Sequence, residues 1–169
     1  MSENIMRANI VSDDMKKNAL DEIDLKIIAI LQAHGRTSNV ALAKQVGISP
    51  PPCLRRLRAL EKAGYVTGYH AEVDMARLGF GVTVFAMVGL HSQAEADLQA
   101  FEALVRDWPE VRECHMLNGD IDFILKCVAK DLSSFQSFLT SKLTPAPNVA
   151  NVRTSLTIRQ SKKIAGVPL

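Results

Sequence analysis

The fold of the first part of the chain depends on one stretch, Val46-Gly-Ile-Ser-Pro-Pro-Pro-Cys-Leu-Arg-Arg-Leu-Arg58. Gly47 is typical of a helix end, because glycine adopts the left-handed conformation there at little cost. The prolines suit the start of a new helix, since the first helical turn has N–H groups without helical partners. A proline also disfavours the α conformation of the residue before it, so we expect this helix to begin near Pro51 or Pro52. The stretch therefore predicts a short turn between two helices.

Apolar residues recur at helical spacing on both sides of this turn. The predicted helices cover residues 21–31, 39–46 and 52–63, and their apolar stripes consist of Ile23, Ile27, Ile30 and Leu31, of Val40, Ala43 and Val46, and of Cys53, Leu57 and Leu60. Asp21 is a suitable N-cap for the first helix. Two short helices joined at Gly47, with another helix packed behind them, have the spacing of a helix-turn-helix. The spacing by itself fits a plain helical subdomain as well.

Positive charge is concentrated in this part of the chain. The whole chain has a net charge of only +2, but residues 36–68 contain six basic side chains and one acidic one. Arg55 and Arg58 lie on the helix face opposite the apolar stripe, with Arg56 on its flank. Guanidinium groups at a helix N-terminus can bind phosphates and the guanine edge. We therefore predict double-stranded DNA as a partner, with Lys44 as a further phosphate contact.

Ser49 precedes the predicted recognition helix, where an N-cap residue is expected. An N-cap side chain accepts a hydrogen bond from the N–H group two or three residues further on. Those residues are Pro51 and Pro52, which have no N–H group. Ser49 is then either free to bond a DNA phosphate or is only a turn residue, and the sequence leaves both readings open.

The second half of the chain alternates β-branched strands with amphipathic helices. The predicted order is a strand at 82–88, a helix at 94–107, strands at 111–117 and 121–128, a helix at 132–143 and a strand at 149–158. Asn118-Gly119 is a strong signal for a tight hairpin between the second and third strands. The order β-α-β-β-α-β is that of the ferredoxin-like fold. The fold class is thus α+β, with a helix-turn-helix domain before a ferredoxin-like domain.

Four segments follow from this reading: a mobile tail over residues 1–20, a helix-turn-helix domain over 21–68, a linker over 69–80 and a ferredoxin-like domain over 81–169. Both faces of the first strand are largely apolar, with Val82, Val84, Ala86 and Val88 on one side and Thr83, Phe85, Met87 and Gly89 on the other. Two helices cover only one face of a four-stranded sheet, and an uncovered apolar face usually packs against a partner. We therefore predict a homodimer.

The composition excludes several classes of protein. With 47% hydrophobic and 22% charged residues, the chain is an ordinary globular protein. Its three cysteines form no C-x-x-C motif, so we expect neither a metal site nor a bound cofactor. The longest apolar run, residues 80–90, is far shorter than the ~20 residues of a membrane helix. Without a signal-peptide pattern at the N-terminus, the expected location is the cytoplasm, with no membrane partner.

The segment around the predicted hairpin has the chemistry to bind a free amino acid. Gly119 lets backbone N–H groups approach a ligand closely, and Asp120 or Asp122 can accept hydrogen bonds from an ammonium group. Asn-Gly-Asp is also a good turn without any ligand. The two aspartates could hold a metal, but no third ligand, nucleophile–base pair or phosphate loop accompanies them. We therefore predict that the protein is not an enzyme.

Taken together, the segments resemble the leucine-responsive and asparagine-responsive regulators of bacteria and archaea (the Lrp/AsnC family). The most similar motifs are Asp21-Glu-Ile-Asp24, Val46-Gly-Ile-Ser-Pro50, Pro52-Cys53, Arg56-Leu57, Glu113-Cys-His115 and Gly119-Asp-Ile-Asp122. The resemblance implies transcription factors that bind DNA as dimers, assemble further into tetramers or octamers, and bind an amino acid between their C-terminal domains. It implies DNA contacts by Ser49, Pro52, Arg55, Arg56 and Arg58, and an effector pocket lined by Leu117, Asn118, Gly119, Asp120 and Asp122. An effector-independent architectural DNA-binding protein is the alternative.

Overall fold

The computed structural model describes residues 20–169, so the predicted tail lies outside the described residues except for Leu20. The described chain forms two compact units. One contains residues 20–72 together with Lys163–Leu169, and the other contains Val73–Lys162. We call them the helical unit and the sheet unit.

The helical unit contains three α-helices: α1 (Glu22–Ala33), α2 (Asn39–Val46) and α3 (Pro50–Lys62). Their shared core is formed by Ile27, Leu42, Ala43, Val46, Cys53 and Leu60. The prediction for Val40 was wrong, because its side chain is 67% exposed while Leu42 is fully buried. At 3.6 residues per turn, Leu42, Ala43 and Val46 fall within an arc of about 100°, and Val40 lies beyond that arc.

Each of the first two helices begins with a side-chain cap. The Asp24 N–H donates to Asp21 Oδ1 at 2.9 Å, and the Asp21 N–H donates to Asp24 Oδ2 at 3.3 Å, which makes a reciprocal capping box. The predicted N-cap role of Asp21 is thus confirmed. The Ala41 N–H donates to Ser38 Oγ at 3.3 Å, and α2 ends at Gly47 with a φ of 82°. Gly47 therefore makes the turn that the sequence predicts.

The sheet unit contains β1 (Val82–Leu90), α4 (Glu95–Arg106), β2 (Val111–Met116), β3 (Phe123–Ala129), α5 (Leu132–Phe138) with a π-helical turn (Leu139–Leu143), and β4 (Val149–Leu156). The antiparallel sheet has the order β2-β3-β1-β4, and the predicted ferredoxin-like fold is confirmed. Phe101 and Phe123, both buried, pack with their ring centroids 4.9 Å apart. The predicted helices 94–107 and 132–143 imply apolar inward faces with Leu104 and Leu132, but these two side chains are 36% and 57% exposed.

The predicted tight hairpin at Asn118-Gly119 is wrong. β2 ends at Met116 and β3 begins at Phe123, which leaves a six-residue loop over 117–122. A two-residue type I′ turn needs positive φ at both central residues, but Asn118 is not among the residues with positive φ, whereas Gly119 has a φ of 144°. Met116 pairs with Phe123, and the Leu117 N–H donates to the Asp122 carbonyl at 2.8 Å, so the ladder closes around four residues and not two.

The last seven residues differ from the predicted domain division, which assigned residues 81–169 to one domain. Lys163–Leu169 packs with the helical unit instead. The Val167 N–H donates to Gln32 Oε1 at 2.6 Å, and Gln32 Nε2 donates to the Val167 carbonyl at 3.2 Å. Gly166 has a φ of 79°, and a Cβ at this position would collide with the Gln32 side chain. Only glycine fits this contact without rearrangement.

Candidate nucleic-acid interface and effector loop

Helix α3 presents Arg55 and Arg58 to solvent. Both side chains are exposed, while Cys53 and Leu60 of the same helix are buried in the core of the helical unit. The Pro50 carbonyl at the start of α3 accepts a hydrogen bond from Asn39 Nδ2 at 2.9 Å. This bond joins the first turn of α3 to the first residue of α2. The two exposed guanidinium groups therefore stand on a helix whose start is fixed by its neighbour.

Ser49 and Lys44 lie beside these arginines in sequence, and both are exposed. Ser49 is the N-cap residue of α3 but its side chain makes no capping hydrogen bond, as expected from the prolines that follow. The helix itself begins at Pro50, slightly before the predicted start, because a proline is accommodated at the first helical position. Pro52 is half-buried. The Ser49 hydroxyl is thus available to a partner outside the chain.

Arg56 has partners within the protein. Its Nη1 lies 2.7 Å from Asp21 Oδ2 and 2.9 Å from Asp24 Oδ1. The Asp24 N–H and, to a smaller extent, the Arg56 guanidinium lower the pKa of Asp21, and the two carboxylates raise the pKa of Arg56. The sequence pattern gave Arg55, Arg56 and Arg58 one role, but the structure separates Arg56 from the other two. The signal that sequence analysis missed is the pair of aspartates at the N-cap and third position of α1.

Glu61, the acidic residue of the basic segment, also has a partner. The Tyr69 hydroxyl donates to Glu61 Oε1 at 2.9 Å. Burial and the adjacent Glu61 carboxylate raise the pKa of Tyr69 to about 12, so this hydroxyl keeps its proton at neutral pH. The hydrogen bond fixes the segment after α3 to the end of that helix. Sequence reasoning did not anticipate this contact, which joins residues eight positions apart.

In the loop over 117–122 the two aspartates have different environments. Asp122 is buried, and its Oδ2 accepts a hydrogen bond from the Leu90 N–H at 2.6 Å. Its carbonyl accepts another from the Leu117 N–H at 2.8 Å. Asp120 is exposed, as are Leu117, Asn118 and Gly119. The Asp122 carboxylate therefore holds the loop against β1, and Asp120 is the loop carboxylate that faces solvent.

No group of three or more His, Cys, Asp or Glu side chains among residues 20–169 could hold a metal ion. A groove of about 380 Å³ lies between α4 and β2, lined by Glu102, Val105, Arg106, Val111, Arg112, Glu113 and Cys114. None of the predicted effector residues lines it. Within the same range, every helix falls short of the length and apolar character needed to cross a lipid bilayer.

Both units match known protein families. Residues 20–67 match the winged helix-turn-helix DNA-binding family, and residues 83–167 match the Lrp/AsnC ligand binding domain. The leucine-responsive regulatory protein of Rhizobium meliloti is 51% identical over 150 residues, covering 89% of this chain and 96% of the relative. The Bkd operon transcriptional regulator of Pseudomonas aeruginosa is 41% identical over 150 residues, covering 89% of this chain and 98% of the relative.

Solved structures agree with these matches. A transcriptional regulator from Neisseria meningitidis, solved as a complex with L-Met, superposes with a TM-score of 0.84 at 35% identity, covering 89% of this chain and 97% of the other. The family model for each unit, the identity over most of the chain and the shared fold agree. The chain belongs to the Lrp/AsnC family of transcriptional regulators.

Proposed function

We propose that this protein reads double-stranded DNA with α3 and changes its DNA affinity when an amino acid binds to its sheet unit. The observation that carries the first part is the pair of exposed arginines, Arg55 and Arg58, on the third helix of a helix-turn-helix. Guanidinium groups on such a helix can contact guanine in the major groove. Ser49 and Lys44 contact the phosphate backbone beside them, and Pro52 packs against it.

Ser38 and Ser49 form a matched pair for testing the phosphate contact. Ser38→Ala removes a cap and should lower the free energy of unfolding by ~1 kcal/mol. Ser49→Ala removes no cap and should change it by less than about 0.5 kcal/mol, yet weaken DNA binding several-fold. Urea unfolding and fluorescence anisotropy measure the two effects. A Ser49→Ala variant with unchanged DNA affinity would identify Ser49 as a turn residue only.

The DNA probe must be obtained with the protein itself. We define the selected duplex as one isolated from a random-sequence pool by repeated binding to the wild-type chain, and the scrambled duplex as the same bases in shuffled order. Specific binding appears as a tighter affinity for the selected duplex at equal salt concentration, since salt governs the phosphate contribution. A wild-type chain that binds both duplexes equally at every salt concentration would contradict sequence reading by α3.

The amino-acid part of the proposal is supported by the chemistry of the loop and by the L-Met complex of the Neisseria meningitidis regulator. Asp120 can accept hydrogen bonds from an ammonium group, and Gly119 allows backbone N–H groups to approach a carboxylate. Leu117 and Asn118 complete the exposed part of the loop. Asp122 supports the loop from within, so we assign it a structural role in the pocket. We place the ligand between sheet units of different protomers.

The thermal shift of the full chain with each of the twenty amino acids tests whether the protein binds an amino acid. Linkage requires that an amino acid which changes DNA affinity is itself bound more tightly or more weakly in the presence of DNA. DNA affinity is therefore measured with and without each amino acid that raises the melting temperature. If no amino acid shifts either quantity, the effector-independent architectural protein is the better description. In both cases the proposed role is binding and not catalysis, and the proposed location is the cytoplasm.

We also propose that the protein self-associates through the sheet face that its own helices leave open. Phe85, Met87, Ile124 and Val128 lie on this face beside Lys126, which is paired with Glu113, and Phe85 is 37% exposed. An exposed apolar patch at the centre of a sheet favours burial against a second copy. A homodimer is the first step, and tetramers or octamers follow from contacts between dimers.

Replacing Phe85 by glutamate should break this dimer. Burial of a phenylalanine contributes ~1.5–3 kcal/mol, so the dissociation constant should rise at least about tenfold. Leu104→Glu is the matched control, because Leu104 is 36% exposed but lies on α4, on the opposite side of the sheet. Light scattering at micromolar concentration measures the mass of each variant. A wild-type chain that is monomeric there would refute the proposed dimer.

A further inference from the structure

The environment of Arg56 differs from that of the two arginines beside it on α3. Successive residues of a helix are turned by about 100°, so Arg55 and Arg58 share a face while Arg56 points elsewhere. The Arg56 side chain is 31% exposed and contacts two carboxylates through one nitrogen, Nη1. Those carboxylates belong to the N-cap residue and the third residue of α1, and Asp24 is 32 positions away in sequence. The contact therefore joins the middle of α3 to the beginning of α1.

The charges of this cluster argue against phosphate recognition by Arg56. One guanidinium between two carboxylates gives the cluster a net charge of −1, which repels a DNA phosphate. The Asp24 side chain is only 18% exposed, so water screens this pair less than it screens a fully exposed one. The two aspartates also cap α1 reciprocally, which holds their carboxylates in place for Arg56. The cluster is thus built to fix one helix on the other.

We propose that Arg56 is a positioning residue for DNA recognition: it fastens α3 to the capping box of α1, formed by Asp21 and Asp24, and thereby orients Arg55 and Arg58. This inference rests on the proposed reading of DNA by α3. Base recognition depends on the angle of the helix in the groove, whereas attraction to phosphates depends mainly on charge. Loss of the cluster should accordingly lower affinity for the selected duplex more than for the scrambled one.

Asp24→Asn is the sharpest test, because direct contact and positioning predict opposite signs. The substitution leaves Asp21 Oδ1 to accept the backbone N–H of residue 24, so α1 remains capped while the charge that holds Arg56 is removed. If Arg56 contacts phosphate, removing a nearby negative charge should strengthen binding to both duplexes. If Arg56 positions α3, the same variant should bind the selected duplex about three- to tenfold more weakly, although DNA is a polyanion and the variant has lost a negative charge.

Arg56→Ala and a matched control complete the experiment. Arg56→Ala should also weaken binding to the selected duplex about three- to tenfold while the salt slope of binding is unchanged, because no phosphate contact is lost. In the Arg56→Ala background, Asp24→Asn should not weaken binding further. Glu22→Ala is the control, since it removes an exposed acid from the same helical turn and should not weaken binding. Circular dichroism at the assay temperature verifies that each variant is folded.

The outcomes separate the two proposals. A wild-type chain that prefers neither duplex would overturn both the reading of DNA by α3 and the positioning role. The second outcome has two parts: the wild-type chain prefers the selected duplex, and the Asp24→Asn variant binds both duplexes as tightly as wild type or more tightly. This outcome would overturn the positioning role alone. A salt slope that falls by about 0.9 in Arg56→Ala would instead make Arg56 a phosphate contact.

Discussion

Replacing Arg55 and Arg58 together by alanine is expected to remove nearly all sequence-specific DNA binding. Both side chains are exposed on α3 and neither is engaged as Arg56 is. Each arginine that contacts a base edge contributes ~1–3 kcal/mol, so the double variant should bind the selected duplex between about thirtyfold and twenty-thousandfold more weakly. Affinity for the scrambled duplex should fall much less. Fluorescence anisotropy across a range of salt concentrations measures both quantities.

The salt dependence distinguishes base contacts from phosphate contacts. If both arginines contact phosphates, the magnitude of the salt slope should fall by about 2, and binding to both duplexes should weaken equally. Arg77→Ala serves as the control, because this side chain is 87% exposed and lies in the sheet unit. A folded double variant that still prefers the selected duplex as strongly as wild type would show that α3 is not the recognition helix.

Asp122→Ala is expected to destabilise the protein, whereas Asp120→Ala is not. The Asp122 carboxylate is buried and accepts the Leu90 N–H at 2.6 Å, and its removal leaves that N–H without a partner. An unsatisfied buried donor costs ~1–3 kcal/mol. Asp120 is exposed, so its loss should change the free energy of unfolding by less than about 0.5 kcal/mol. Urea unfolding of the two variants makes the comparison directly, and equal losses would contradict it.

The same pair of variants tests the effector loop. Asp120→Ala should abolish the effect of the amino acid on DNA affinity, because it removes the solvent-facing carboxylate that we propose accepts the ammonium group. DNA affinity without the amino acid should be unchanged, since Asp120 lies in the sheet unit and Arg55 in the helical unit. The measurement is DNA affinity with and without an amino acid that raises the melting temperature. An Asp120→Ala variant that responds as wild type does would leave the loop as a connection between strands only.

Local features of the chain were enough to predict most of the fold. Gly47 ends α2, Asp21 caps α1, and the prolines after Ser49 leave that residue without a capping bond, as their chemistry requires. The strand and helix order of the sheet unit follows from apolar periodicity, which reports the face that each element buries. The wrong prediction that Val40 is buried concerns a short helix, where an eight-residue pattern fits more than one apolar stripe.

The tertiary structure alone decided which polar side chains remain available to a ligand. Local sequence was enough to predict the helix-turn-helix, the ferredoxin-like order and the basic character of α3, because capping, turn chemistry and periodicity act over a few residues. It could not distinguish Arg56 from Arg55, or Asp122 from Asp120, because the partners of Arg56 and Asp122 lie up to 35 and 32 positions away in sequence. Contacts at such separations arise only when packed elements bring distant residues together, and these two contacts engage one guanidinium and one carboxylate within the protein.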